Sequence, residues 1–349
     1  MIHVVQWTTG NVGQRAALAV MANPDLELVG CYAWSQDKAG RDIGELAGTD
    51  PIGIAATNDI DTLLALKPDC VVYTPKFPQV DEFVRILEAG VNVVATAGFI
   101  TGHCFGEAEK RRIEDACRRG ASSIFGSGAN PGFLNLMGLV SAVICDRVDG
   151  ISVTESVDST GYDSPETEIP CGFGRPIDDP ELPILARAGT AVFEDAVWMM
   201  ANALGITLDE VCFEADFART TADLDLGSWS IGADCVAGIA TNWQGRRNGA
   251  TLLELKTVWR KGQTLDPDWQ VEHAYIVEVK GQPCVKTRVQ LIPGEDFVAS
   301  TFKEYMVIGM IATAMPAVNA IPAVVAAPPG IVTYAELPLM TARGMVSQV

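Results

Sequence analysis

The sequence predicts an α/β chain of two domains: an N-terminal doubly wound parallel sheet, then a second α+β domain with a largely antiparallel sheet. Three observations carry this. A β-branched run at residues 2–7 stops at a glycine turn and passes at once into an alanine-rich segment. Short apolar runs then alternate with helix-length amphipathic ones to about residue 133. Beyond that point the apolar residues recur with period two.

In the opening stretch, IHVVQWTTGNVGQRAAL, Ile2, Val4 and Val5 form the strand and Gly10 and Gly13 the turn. This order lets Gly10 bring the main chain close to a pyrophosphate and Gly13 bring helix against strand, with the N–H groups of Asn11, Val12 and Gly13 facing the anion. In a G-x-G-x-x-G pattern the first glycine would fall at position 8, which is Thr8, followed by Thr9. The expectation is a Rossmann-type dinucleotide site.

Residues 26–33 form the second strand, whose tip bears on cofactor choice. An NAD site offers an acid about 20 residues past the glycines, whereas an NADP site supplies cations. Here Ser35 stands at that place with Lys38 and Arg41 beyond, which favours NADP, while Asp37 keeps NAD as the alternative. Helices follow at 59–66, 80–89 (closed by Gly90) and 107–119 (ended by Gly120), with strands at 70–73, 91–96 and 122–125. A ligand of such a sheet lies beyond the C-terminal strand ends, so residues 74–76, 96–99 and 126–132 are expected around the cofactor, Thr74, Thr96 and Ala97 among them.

The nucleotide-binding domain is taken as residues 1–133, with 302–349 returning to it, and a substrate-binding and dimerisation domain as 134–301. In the latter, strands are expected at 151–157, 252–259, 271–279 and 285–291, and a helix at 190–204 ended by Gly205. The connection 158–185, rich in Asp, Pro, Ser and Gly, is long enough to be a lid over the active site or a loose surface excursion. Residues 305–335 carry no charge, but Pro316, Asn319 and Pro322 interrupt them, which predicts a buried helix with a proline-broken connection and not a membrane span.

Composition narrows the class. The 349 residues carry a formal charge of −19, and no cationic cluster exceeds Lys110 to Arg112, which argues against a nucleic-acid partner. Nine cysteines without a CxxC pair suit a reduced, cytoplasmic protein, and three histidines spread along the chain suggest no metal site.

The turn TTGNVG (8–13), the phrase GSGANPGF (126–133) and the late AVNAIPAV and APPGI (317–324, 327–331) resemble the 2,4-diaminopentanoate dehydrogenase and native amine dehydrogenase group, relatives of dihydrodipicolinate reductase. The resemblance implies a reductase-like fold whose C-terminal helix returns to the nucleotide domain, a homodimer, and hydride transfer between nicotinamide and the carbon of an amine, imine or ketone. It also implies a catalytic carboxylate, commonly a glutamate pair, after the strand ending at Thr96. This chain has Ala97, Gly98 and Phe99 there.

Other groups are therefore candidates for proton transfer or charge stabilisation. Glu155 falls on the apolar face of the strand 151–157, where burial would raise its pKa; the alternatives are a salt bridge to Arg175 or another arginine, or a place at the sheet's end facing water. His273 shares a strand face with Val271, Tyr275, Val277 and Val279, and could be an acid, a substrate anchor or a core histidine. Tyr162 lies in the proposed lid, His103 on a glycine-flanked loop, and Asn130 in an Asn-Pro-Gly turn at a strand end, where the resemblance also places a polar residue near nicotinamide or substrate. The expected activity is that of an amine dehydrogenase on a small-molecule amine or ketone; the alternatives are a carbonyl reductase without amine chemistry and a cofactor-bound sensor.

Overall fold

The computed structural model describes residues 1–346 and divides into two compact units, residues 1–133 with the described residues from 309 on, and 134–308. The first unit holds a six-stranded, wholly parallel sheet. Its strands are β1 (Ile2–Trp7), β2 (Leu26–Tyr32), β3 (Cys70–Tyr73), β4 (Asn92–Ala95) and β5 (Ser123–Gly126), joined late in the chain by a sixth, Gly330–Val332. The spatial order from the β2 edge is β2, β1, β3, β4, β5, then Gly330–Val332.

These strands read as continuous apolar runs because both faces are covered. Val4, Val72 and Val94 pack on one side with Ala16, Val20 and Phe125; Val5, Val71, Tyr73 and Val93 pack on the other with Phe83, Ile86 and Ile113. Asp59 caps the helix Ile60–Ala65 by accepting from the N–H groups of Asp61 and Thr62, as its position suggests. Gly120 is not the cap after the helix Glu107–Gly120: Ala121 takes the left-handed conformation (φ 52°). Gly120 is needed because a Cβ there would sit 1.8 Å from the Leu87 carbonyl oxygen.

The helix Val307–Val325 runs unbroken through Pro316 and Pro322, contrary to the expected proline break. Each proline removes an internal hydrogen bond, but Ala314, Ala317, Val318, Ala320, Ile321 and Val324 are buried in the nucleotide unit's core, and that packing holds the helix together. This helix is long and apolar enough to cross a membrane, and its buried face is part of that core.

The second unit contains β6 (Arg147–Asp158), β7 (Glu210–Thr220), the short β8 (Leu224–Asp225) and β9 (Ser230–Ile231), β10 (Val236–Arg247), β11 (Ala250–Arg260), β12 (Leu265–Asp266), β13 (Ala274–Gln282) and β14 (Val285–Val289). Seven of these form one sheet in the order β12, β7, β10, β11, β6, β13, β14. All neighbours are antiparallel except β6 and β11. The helices Leu134–Ala142 and Ala191–Ala203 cover one face, on which Gly138 admits Ile151 and Val153, and Gly245 admits Val197 and Leu208.

β7 and β10 are absent from the sequence-based expectation. β10 carries Gly238, Asn242, Gln244 and Gly245, residues of low strand propensity, and is held as a central strand by its two neighbours. The connection 158–185 is neither a free lid nor a loose excursion. Cys171, Phe173 and Leu182 are buried with Val236, Ile239 and Leu265, and the Gly174 and Ile177 N–H groups donate to Val236 O and Asp234 O.

Candidate active site

The turn after β1 is built by buried polar groups. The Thr8 N–H donates to Tyr32 O at 2.9 Å, and Thr8 adopts φ 71°, so the left-handed conformation usually left to glycine is taken here by a β-branched residue. Gln6, fully buried, donates through Nε2 to Thr8 O and Thr74 Oγ1, each at 2.9 Å, and Thr74 Oγ1 donates to Trp7 O. Thr74 thus secures the turn from β3. A Cβ on Gly13 would lie 2.4 Å from Thr8 O, whereas one on Gly10 would meet nothing. The helix Asn11–Ala22 begins without a side-chain cap, and Thr9 Oγ1 is buried without a hydrogen-bond partner. Open backbone at Gly10, uncapped N–H groups and a spare hydroxyl fit a dinucleotide pyrophosphate.

At the β2 tip, Lys38 Nζ reaches back over the turn and donates to Thr9 O at 3.1 Å. Ser35 is half-buried, Arg41 exposed, and the Ser35 hydroxyl holds the Asp37 carboxyl below its ordinary range. Behind the tip, Trp7 stacks on Tyr32 with ring centres 4.3 Å apart, and its indole N–H donates to Glu82 at 3.0 Å. Sequence reading missed both Gln6 and Glu82, since a polar residue in a strand or at a helix start has no local mark of a distant partner.

At the other strand ends, Thr96 follows β4 half-buried and Ala97 and Phe99 point into the core, Phe99 lying 5.5 Å from Phe83 and 6.1 Å from Phe105 between ring centres. The stretch lies directly on β5, where a Cβ on Gly126 would come within 1.8 Å of Phe99 O. Asn130 is extended (φ −150°) in the turn after β5. His103 has Thr101 Oγ1 at 2.9 Å from Nδ1 and Lys110 Nζ at 3.3 Å from Nε2.

In the second unit, Glu155 lies on β6 opposite Thr257 and Tyr275, on the helix-covered face. Trp259 Nε1 donates to Glu155 Oε1 at 3.0 Å, and Phe193 meets the Trp259 ring edge-on at 6.4 Å. Burial first, and the Glu155 charge second, push the Tyr275 phenol well above its ordinary pKa. Arg175, the alternative partner considered for Glu155, pairs with Asp179 and Glu181.

His273 does not share the strand face expected of it. β13 begins at Ala274, and His273 is exposed in a left-handed conformation (φ 49°), its carbonyl accepting from Gln290. The preceding Glu272 N–H donates to Ser156 Oγ at 2.9 Å. Tyr162 is half-buried, and its carbonyl, with that of Ser159, accepts from Lys261 Nζ at 3.4 and 2.8 Å. Lys261 is wholly buried and completes its three donors on Glu168 Oε1 at 2.5 Å. Desolvation dominates both partners, lifting the Glu168 carboxyl to about 7 and lowering Lys261. A cavity of about 550 Å³ bounded by Asp216, Ala240, Val258 and Trp269 opens on the opposite, helix-free face, away from Glu155.

Comparison with known proteins follows this division. Residues 4–126 match the dihydrodipicolinate reductase N-terminus, and 186–348 match the 2,4-diaminopentanoate dehydrogenase C-terminal domain. An amine dehydrogenase of Streptomyces virginiae is 30% identical across 100% of this chain and 99% of its own length. A 4-hydroxy-tetrahydrodipicolinate reductase of Methanothermobacter thermautotrophicus is 35% identical over 126 residues, 34% of this chain and 44% of that protein. The solved amine dehydrogenase of Mycobacterium smegmatis superposes with a TM-score of 0.81 over 98% of both chains at 19% identity.

Proposed function

This chain belongs to the amine dehydrogenase family with a dihydrodipicolinate reductase-like nucleotide domain, and from that premise we propose that it interconverts a small, largely apolar amine and its ketone or aldehyde, with NADP as preferred cofactor. It is an NAD(P)-dependent oxidoreductase acting on a small molecule. In the oxidative direction the protonated amine, water and the oxidised cofactor would give the carbonyl compound, ammonium, the reduced cofactor and a proton. The nicotinamide, when bound, accepts or returns the hydride at the substrate carbon.

The turn from Thr8 to Gly13 holds the pyrophosphate through backbone N–H groups. Lys38 and Arg41, without an acid at Ser35, support the preference for a 2′-phosphate. Glu155 is the carboxylate of the reaction: it takes the proton that frees the amine lone pair and, once that proton has passed on to solvent, its restored charge balances the iminium. One observation carries this assignment: a glutamate among Trp259, Phe193 and Tyr275, oriented by an indole N–H. Asn130 and Tyr162 are polar groups for substrate orientation, and exposed His273 is the weakest candidate. The same reading makes the protein a cytoplasmic homodimer, in keeping with nine free thiols and with the family.

A carbonyl reductase is the second reading, favoured by Ala97, Gly98 and Phe99 at the place where the family resemblance puts a carboxylate. Oxidation of NADPH and NADH against a panel of ketones and aldehydes, with and without ammonium, separates the two. Ammonium-dependent turnover, faster with NADPH, is expected, and Glu155→Gln should lower kcat by about 100-fold, within the usual range for a proton-transfer group. Equal turnover without ammonium supports the reductase; unchanged activity of the variant at every pH removes Glu155 from the chemistry.

A further inference from the structure

We propose that Cys145 and Cys284 form a reversible disulfide that ties the start of β6 to the β13–β14 turn. All nine cysteines are free thiols, but these two stand in a special relation. The β6–β13 ladder pairs Val148 with Gly281 and Arg147 with Gln282. Beyond these pairs the chain turns, Val285 of β14 pairing back onto Val279 of β13, so that Cys284 lies in the turn and Cys145 just before β6. Peptide geometry puts a carbonyl oxygen within about 3 Å of the next Cα, so Cys145 Sγ, 3.1 Å from Pro283 O, is close enough to the Cys284 Cα for rotation of the two side chains to bring the sulfurs together.

Both sulfurs lie against this turn. Cys145 Sγ lies 3.1 Å from the Pro283 carbonyl oxygen, on the peptide that leads into Cys284, and Cys284 Sγ lies 3.3 Å from Gly281 O in the same turn. The Asp146 N–H donates to Gln282 O at 2.8 Å, which holds the two segments together. Cys284 is exposed and Cys145 half-buried, so an oxidant meets Cys284 first.

A hydroperoxide supplies the two oxidising equivalents. The Cys284 thiolate attacks the peroxide oxygen and the O–O bond breaks; the leaving hydroxide takes up the proton that the thiol released, giving a sulfenic acid and, from hydrogen peroxide, water. Cys145 then attacks that sulfur, its proton leaves with the hydroxyl as a second water, and the S–S bond forms. The bond would anchor edge strand β14 and its hairpin, whose inner strand β13 carries Tyr275 beside Glu155.

The test uses the full-length protein under native conditions, treated with hydrogen peroxide at low excess and then alkylated. A linked peptide containing Cys145 and Cys284, loss of both thiols together, and a thermal midpoint raised by about 5 °C or more and reversed by dithiothreitol are expected. Cys145→Ser and Cys284→Ser should each abolish the link and the shift while leaving untreated turnover unchanged. A chain-to-chain bond through Cys284, or sulfinic acid at Cys284 with Cys145 still open to alkylation, overturns the proposal.

Discussion

At the scale of single residues, the two buried ionisable clusters differ in what holds them. Glu82 accepts from both Trp7 Nε1 and Tyr73 OH and serves as an acceptor for neutral donors. Glu168 faces the ammonium of Lys261, and burial costs their charged forms more than the pairing returns, so its carboxyl rises to about 7 from an ordinary 4.5. Between these two values the folded chain holds more protons at this site than the unfolded chain. Stability from Glu168 is therefore fully present below about pH 4.5 and is lost as pH climbs to about 7. Thermal midpoints measured from pH 4.5 to 7.5 should fall more steeply for the native chain than for Glu168→Gln; parallel curves would show that Glu168 ionises normally.

At the scale of elements, local pattern was enough where an element's own residues dictate it. The helix Ile60–Ala65 begins at its Asp59 cap, and β3 occupies residues 70–73 as its apolar run requires. It was not enough where packing overrides propensity. Pro316 and Pro322 argue for a break, yet the helix Val307–Val325 continues because one face is closed into the core around Val4, Ala16 and Val94. If that packing is what holds it, Ala317→Glu, which buries an unpaired charge at a fully buried position, should cost about 3 kcal/mol or more. Ile311→Glu, on the exposed side of the same helix, should change stability by less than about 0.5 kcal/mol. Chemical denaturation followed by circular dichroism measures both, and equal losses would place the stabilising contacts elsewhere.

For the whole molecule, the formal charge of −19 raises the repulsion between copies. A homodimer must therefore hold together mainly by apolar burial, with its affinity rising as salt screens the charge. Sedimentation velocity at low micromolar concentration should show a species of twice the 37.2 kDa chain mass, with dissociation favoured at low ionic strength. A single-chain mass at all salt concentrations would rule the dimer out.

The turn, its glycines and the alternation of strands and helices were legible in the sequence because each rests on contacts within a few residues. Gly13 has no room for a Cβ beside Thr8, and residues near in sequence necessarily meet in such a turn. The company of each candidate group was decided by tertiary structure alone. Glu155 meets Trp259 and Tyr275 only because β6 lies between β11 and β13, and His273 leaves its expected face only because the chain turns before β13. Lys261 finds Ser159, Tyr162 and Glu168 by the same long-range route. Backbone periodicity specifies which face a residue can occupy, whereas its partners depend on strand order and register, set by the burial of the whole sheet.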